Sequence, residues 1–283
     1  MKNTVAVKPS DVLTTIAGAL LFAVGLVLPS YADDSSDIGL GTRQGFDVGG
    51  QVSGYHYGES FRHSFANEQY GPQFGLVGSG TQLLAFGLFA TAEGRLAYGN
   101  NHYNGTGTKD DVPDYLGEIR FLGGKDFIGH QFGLSAYTGL GYRNLYNDIR
   151  GTTSDGSIGY RRDSQYLYVP VGVTPRFRVT GNSRISTNLE YDQLIRGWQN
   201  THLEDFSSLE HDMINNQNGG YGLRGSIMYE WNSWSVGPFA NYWNINQSAV
   251  KVTNTPSCNV FVGGCIEPHN QTIEAGIQAK YHF

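Results

Sequence analysis

Residues 272–283 read TIEAGIQAKYHF, and alternate positions belong to two populations. Ile273, Ala275, Ile277, Ala279, Tyr281 and Phe283 fall on one side of a two-residue period; Glu274, Gly276, Gln278, Lys280 and His282 fall on the other. Successive side chains of a β-strand point to opposite faces, so this stretch is a strand with one oily and one polar face. It is also the end of the chain. An open edge strand invites pairing with other chains, and a soluble sheet protein would be expected to fray into a polar tail here. The solvent met by the apolar face therefore decides the fold.

The opposite end narrows the choice. Lys2 and Lys8 precede the apolar run VLTTIAGALLFAVGLVL, which PSYADD follows, with Ser30 and Ala32 at the small-residue positions of a cleavage site. This pattern predicts a secretory signal peptide over 1–32 and a mature chain from Asp33. An uncleaved membrane anchor is the alternative, but the run is short of the roughly 20 residues of a spanning helix, and Asp33 and Asp34 follow without a basic stop-transfer cluster. Without Lys2, Lys8 and Asp11 the formal charge moves from −6 to −7, which makes nucleic acid an unsuitable partner. The two cysteines, Cys258 and Cys265, read as one local disulfide in an exported chain. A metal site would need further ligands, and only His269 lies nearby in sequence.

Composition points the same way. The chain has 39 glycines, 18 tyrosines and 15 phenylalanines but 3 methionines, at a mean hydropathy of −0.34. Past the expected signal peptide there is no apolar run of spanning-helix length and no stretch with a 3.6-residue period. Alternation instead predicts strands near 44–57, 72–79, 84–99, 115–124, 131–146, 160–178, 183–195, 219–231, 234–246 and 271–283, each long enough to cross a bilayer at a tilt. The gaps between them alternate without exception: GESFRHSFANEQYG is long, GSGTQ short, NNHYNGTGTKDDVPD long, GKDFIGH short, and so on to the end.

Sandwich loops have no reason to sort by length, whereas a barrel inserted from the periplasm has short inner turns and longer outer loops. The chain resembles the bacterial outer-membrane β-barrel proteins, whose last strand ends in an aromatic residue, here within KYHF. The resemblance implies an all-β, closed, up-and-down antiparallel transmembrane barrel of about ten strands over 33–283, with eight or twelve as alternatives. It further implies that Tyr281 and Phe283 are read by the barrel assembly machinery, and that outer-membrane lipid and lipopolysaccharide surround the wall.

A barrel needs one apolar parity in every strand. In SRISTNLEYDQLI, Ile185, Thr187, Leu189, Tyr191 and Ile195 suit lipid, while Arg184, Ser186, Asn188, Glu190 and Asp192 point the other way. YLGEIRFLGG, GYGLRGSIMYEW, QFGLSAYTGLGYRNLY and LLAFGLFATAEGRLAYG sort alike, the last with Phe86 and Leu88 on the lipid side. A lipid-facing charge near the midplane costs about 2–4 kcal/mol, which is why the charges share a parity. Tyr98, Tyr142, Trp231 and Trp234 suit interfacial girdles. WSVGPFANYWNIN mixes its faces.

The expected lumen holds Asp47, Glu93, Arg95, Glu118, Arg120, Arg143, Arg176, Arg178, Glu190, Asp192, Arg224, Glu230, Glu274 and Lys280. Ten strands lie nearer the side-chain-filled limit of about eight than the open channels of about sixteen, so these charges are expected to pair in a polar core. A narrow solute path lined by charge is the alternative. Catalysis is a further one: omptin proteases are similar in size and place acidic residues and a histidine at the outer rim, which Asp148, Asp192, His202, His211 and Asp212 could reach, but no omptin motif can be matched to them. Asp110, Asp111 and Asp114 read as a solvated acidic loop rather than a Ca²⁺ site. No cofactor is expected. The loops near 196–218 and 247–270 are the expected places for an extracellular ligand.

Overall fold

The computed structural model describes residues 38–61 and 64–283; the expected signal peptide lies outside the described residues. The described residues form eleven strands: β1 (Gly45–Phe61), β2 (Ser64–Leu83), β3 (Leu88–Gly105), β4 (Gly107–Ile128), β5 (Phe132–Thr152), β6 (Ile158–Thr180), β7 (Ser183–Thr201), β8 (Met213–Gln217), β9 (Gly220–Trp231), β10 (Trp234–Ile245) and β11 (His269–His282). Every pairing is antiparallel and ten strands close into a barrel. β8 stands outside the ring, pairing only with the upper end of β7 from Gly197↔Gln217 to Thr201↔Met213. The seam is β1 against β11, with Val52 opposite Ile277. Closure satisfies every strand's outward backbone groups, the condition for a sheet in hydrocarbon.

The outer wall is the oily parity. Leu76, Leu189 and Ile277 are 67%, 56% and 62% exposed, and Val52, Phe121, Val171 and Ile227 share their belt. Aromatic rings rim it on both sides. At the long-loop end Tyr98, Tyr115 and Tyr146 run ring to ring across three strands, as do Tyr191, Tyr221 and Tyr242. At the short-turn end Tyr229 packs on Trp231, and Trp234 on Tyr281, which packs on Phe283. From Tyr221 to Trp231 the chain advances ~34 Å at ~3.4 Å per residue, or ~26 Å across the membrane after a tilt of ~40°. That matches the ~25 Å apolar band of such barrels.

Strand limits differ from the sequence-based expectation. The polar segments after residues 57, 99 and 146 are not loops throughout: β1, β3 and β5 continue to Phe61, Gly105 and Thr152. Polar side chains there mark the exit from lipid, and a ladder whose backbone bonds are already made has no reason to stop at that plane. The third strand, by contrast, begins at Leu88 rather than 84. Residues Ala85–Gly87 form a 3-10 turn in which Phe86, at φ +62°, sits outside the strand register.

Parity also changes within β7. A bulge between Leu167 and Tyr168 sets them opposite Arg196 and Leu194, leaving Ile195 unpaired. An extra residue moves all later side chains to the other face, so Leu194 points in with the even set while Gly197, Gln199 and Thr201 are buried beyond it.

Candidate functional site

The pairing register carries the charges to one level inside the barrel. Glu93 stands opposite Arg120, Arg95 opposite Glu118, Glu118 opposite Arg143, and Glu190 opposite Arg224. Arg224 on β9 reaches across the lumen to β4, placing its two terminal nitrogens 2.6 and 2.8 Å from the carboxylate oxygens of Glu118. Its Nε donates to Asp192 at 2.6 Å and lies 3.1 Å from Glu190. Arg120 binds Glu93 through Nε at 2.9 Å and also pairs with Glu190. Arg95 pairs with Glu274, which also accepts from Ser53 at 2.8 Å and Gln51 at 3.1 Å. A charge taken out of bulk water needs such partners.

Aromatic rings fill what the charges leave. Tyr168 donates to Glu118 at 2.8 Å and meets Trp243 edge-on at 5.0 Å; Arg143 and Arg224 lie 5.1 and 5.6 Å from the Trp243 ring centre. Tyr137 donates to Glu190 at 2.7 Å. Two of these rings lie on glycines of the neighbouring strand. A Cβ at Gly141 would come 2.2 Å from the ring of Tyr168, its cross-strand partner, and one at Gly172 would come 2.4 Å from that of Tyr137. Above this level Gln73 donates to a buried Asp114, and Gln69 to Asn147. Ala97, Leu116, Leu145, Tyr166, Leu194 and Ile245 complete a buried cluster with Tyr168 and Trp243. The lumen is plugged over its upper half.

Below the plug a chamber of about 310 Å³ opens toward the short-turn end. Arg43, Asp47, Arg176, Arg184, Glu230 and Lys280 line it, with the paired Arg95, Arg120 and Arg224 as its roof. Arg184 binds Glu230 at 2.7 Å, and Asp47 accepts from Ser79 and His282, each at 3.1 Å. A strap of residues 38–42 crosses the mouth. Ile38 N–H donates to Gly181 C=O at 2.9 Å, Arg184 donates to the carbonyls of Gly39 and Gly41, and Thr42 donates to Asp126 through backbone and hydroxyl at 2.8 and 2.9 Å.

The other end carries a cap. Segments 202–217 and 246–268 clasp each other through Ser257 Oγ to Glu210 at 2.6 Å and Asn215 to Ser248 at 2.9 Å, around a buried cluster of Leu203, Met213 and Cys258. A disulfide joins Cys258 to Cys265. Arg162, on the outer part of β6, pairs with Glu59 and Glu267 together. Burial pushes the Glu267 carboxyl up to about 7, with the Glu59 charge adding and Arg162 opposing. Asp205 grips Arg161 bidentately at 2.7 and 2.8 Å; burial makes the Asp205 carboxyl harder to ionise, but the Arg161 hydrogen bonds outweigh it and hold Asp205 below the usual carboxylate range.

The residues expected at the outer rim do not assemble there. Asp192 is fully buried in the mid-barrel network with Arg224, because its parity is that of Glu190. Asp148 is occupied by Arg150 at 2.6 Å. His202 Nδ1 lies 2.6 Å from Asp212, while the exposed His211 lies 3.5 Å from Glu204. Asp114 is buried, not part of a solvated loop, since β4 already runs there. Arg178 is half-buried at the short-turn rim, its N–H on Gln131 C=O at 3.3 Å. Sequence reasoning missed Arg43, Tyr168, Phe239 and Trp243. The mixed faces of β10 were the available signal: Phe239, Trp243 and Ile245 point inward as rings and apolar bulk against arginines.

A closed ten-stranded wall with an oily belt, two aromatic rims and a charged interior is the fold of the bacterial outer-membrane β-barrel proteins. No protein-family profile and no curated protein sequence matches the chain. Among solved structures it is similar to the outer membrane protease OmpT from Escherichia coli, at 11% identity and a TM-score of 0.53 over 88% of this chain and 100% of that one. The transport unit of the autotransporter AIDA-I from Escherichia coli matches at 11% identity and a TM-score of 0.39, over 95% of this chain and 98% of that one. The Pseudomonas putida toluene transporter TodX matches at 9% identity and 0.33, over 86% and 90%. The first of these likenesses establishes the shared barrel; chemistry has to come from the residues.

Proposed function

We propose that this chain is a non-conducting outer-membrane barrel that carries a structured cap on the cell surface for contact with an extracellular partner. The observation behind this reading is the Arg224–Glu118 contact: a buried ion pair between non-adjacent strands, packed by Tyr168 and Trp243, occupies the lumen where a channel would need water. The cap supports the second half of the reading, since its two long segments are bonded to each other and stiffened by the Cys258–Cys265 bridge. The short-turn end then faces the periplasm and the cap faces outward.

Planar-bilayer recording tests it. Purified protein is expected to give no stable ohmic steps in symmetrical salt, and steps in the unmodified protein would instead support the narrow-channel alternative. A hydrolase reading has one observation in its favour, the His202–Asp212 pair at the cap. Cleavage of a basic-site peptide that disappears in His202→Ala would establish it.

A further inference from the structure

We propose that the chamber below the plug is a binding site for a small, soluble phosphorylated solute entering from the periplasm. The argument begins with unbalanced charge. Of the carboxylates at the chamber wall, Glu93 is held by Arg120, Glu118 by Arg224, Glu230 by Arg184 and Ser186, and Asp47 by His282 and Ser79. Asp126, behind the strap, is taken by Thr42 and Ser135. Among the described residues, Arg43, Arg176 and Lys280 then have no carboxylate within salt-bridge distance, although they line a cavity in a chain of net charge −6.

Arg176 is the sharpest case. It is 8% exposed, and among the described residues its side chain makes one hydrogen bond, to Ser135 Oγ at 2.5 Å, while its Nε has no partner. A buried guanidinium is costly without a counter-charge, and an anion in the chamber supplies one. Two guanidinium forks and an ammonium suit the several oxygens of a phosphate, which carries close to two negative charges near neutrality. Around them Ser226 and Ser235 offer hydroxyl groups to the rest of such a solute.

Size and access restrict the source. About 310 Å³ is at the lower end for small-molecule sites. The wall has no lateral gap through which a lipid headgroup would enter: β1 and β11 are paired from Asp47↔His282 to Ser60↔His269. The roof is the plug, and the strap narrows the mouth. A soluble molecule from the short-turn side is the occupant this shape admits.

The test is calorimetric titration of the full chain, folded in a neutral detergent, with glucose 6-phosphate, glucose and short-chain phosphatidylglycerol as probes. Saturable one-to-one binding of glucose 6-phosphate is expected, with glucose and the lipid at least tenfold weaker. Arg176→Gln and Lys280→Gln should each weaken the sugar phosphate about tenfold, Arg176→Lys should restore most of it, and Arg196→Gln on the outer face should change nothing. Heat-modifiable electrophoretic mobility checks folding, and Lys280→Gln reads the site if Arg176→Gln does not fold. Absence of saturable binding, equal affinity for glucose or for the lipid, or unchanged affinity in both charge variants overturns the proposal. A conducting barrel would end the closed-lumen reading while leaving this isotherm intact.

Discussion

Arg224 and Glu118 form a strut: one belongs to β9, the other to β4, and their side chains meet fork to fork at 2.6 and 2.8 Å across the barrel. Neighbouring strands are already held by their ladders. A link between strands that do not touch fixes the cross-section, and it does so with Asp192, Glu190 and Tyr168 gathered on the same guanidinium.

Arg224→Met should therefore be more damaging than the loss of one contact. It strands the buried carboxylates of Glu118 and Asp192, and removing one partner of a buried pair costs about 3–5 kcal/mol. Urea unfolding of the detergent-folded protein is expected to show that loss. The double variant Glu118→Met with Arg224→Met should recover a good part of it, and small conductance steps are expected in the single variant alone.

Tyr168 rests on Gly141 with no space for a side chain between them. Gly141→Val should displace the ring and cost about 1–3 kcal/mol as overpacking, while Tyr168→Ala should cost about 3–5 kcal/mol as a cavity. In the combined variant the valine has room, so the two losses are expected to be clearly less than additive. Strict additivity would mean that the ring and the glycine are independent.

The cap should loosen as pH rises. With its folded value pushed up to about 7 by burial, Glu267 holds a proton between that pH and the ~4.3 of a free glutamate. The folded cap binds the extra proton in this window, so the contribution of Glu267 to its stability is full below about pH 4.3 and declines as pH climbs through about 7. Hydrogen exchange across 247–268, corrected for intrinsic rates, should show more protection at about pH 5.5 than at about pH 8. Glu267→Gln should flatten the difference, and protection that grows with pH would contradict the assignment.

Leu189 lies on the oily belt, opposite Gly225, halfway between the Tyr221 and Tyr229 rims. Leu189→Arg should cost about 2–4 kcal/mol in lipid and reduce folding into vesicles. Asn188→Arg, one residue along but facing inward, should respond instead to neighbouring lumen charge, with Glu190 close by.

The wall was legible because hydrocarbon imposes a two-residue rule on every strand it touches. Leu189, Leu223 and Ile277 obey that rule, and so do the charges opposite them. Beyond the lipid the rule lapses, which is why the outer reaches of β1, β3 and β5 looked like loops and why Asp114 looked solvated. Inside the barrel the filling could be inferred in kind but not in detail. Oily residues are permitted on both faces once rings serve as packing, as Trp243 and Phe239 do, so β10 lost its alternation. The bulge at Ile195 reversed a parity that composition alone had no means to reverse. Arg43 escaped notice because it belongs to no strand; only the path of the strap brings it to the chamber.

β3 and β4 stay paired as far as Gly105 and Gly107, well past the upper tyrosine rim. What stands above the rim at this point is a two-stranded ladder with a single residue at its summit, braced at Thr108 by Ser154 of the neighbouring hairpin. An epitope spliced in at Thr106 would be held aloft at a fixed height and bearing, whereas the same peptide inserted in the clasped segment 246–268 would have to break the clasp to be displayed.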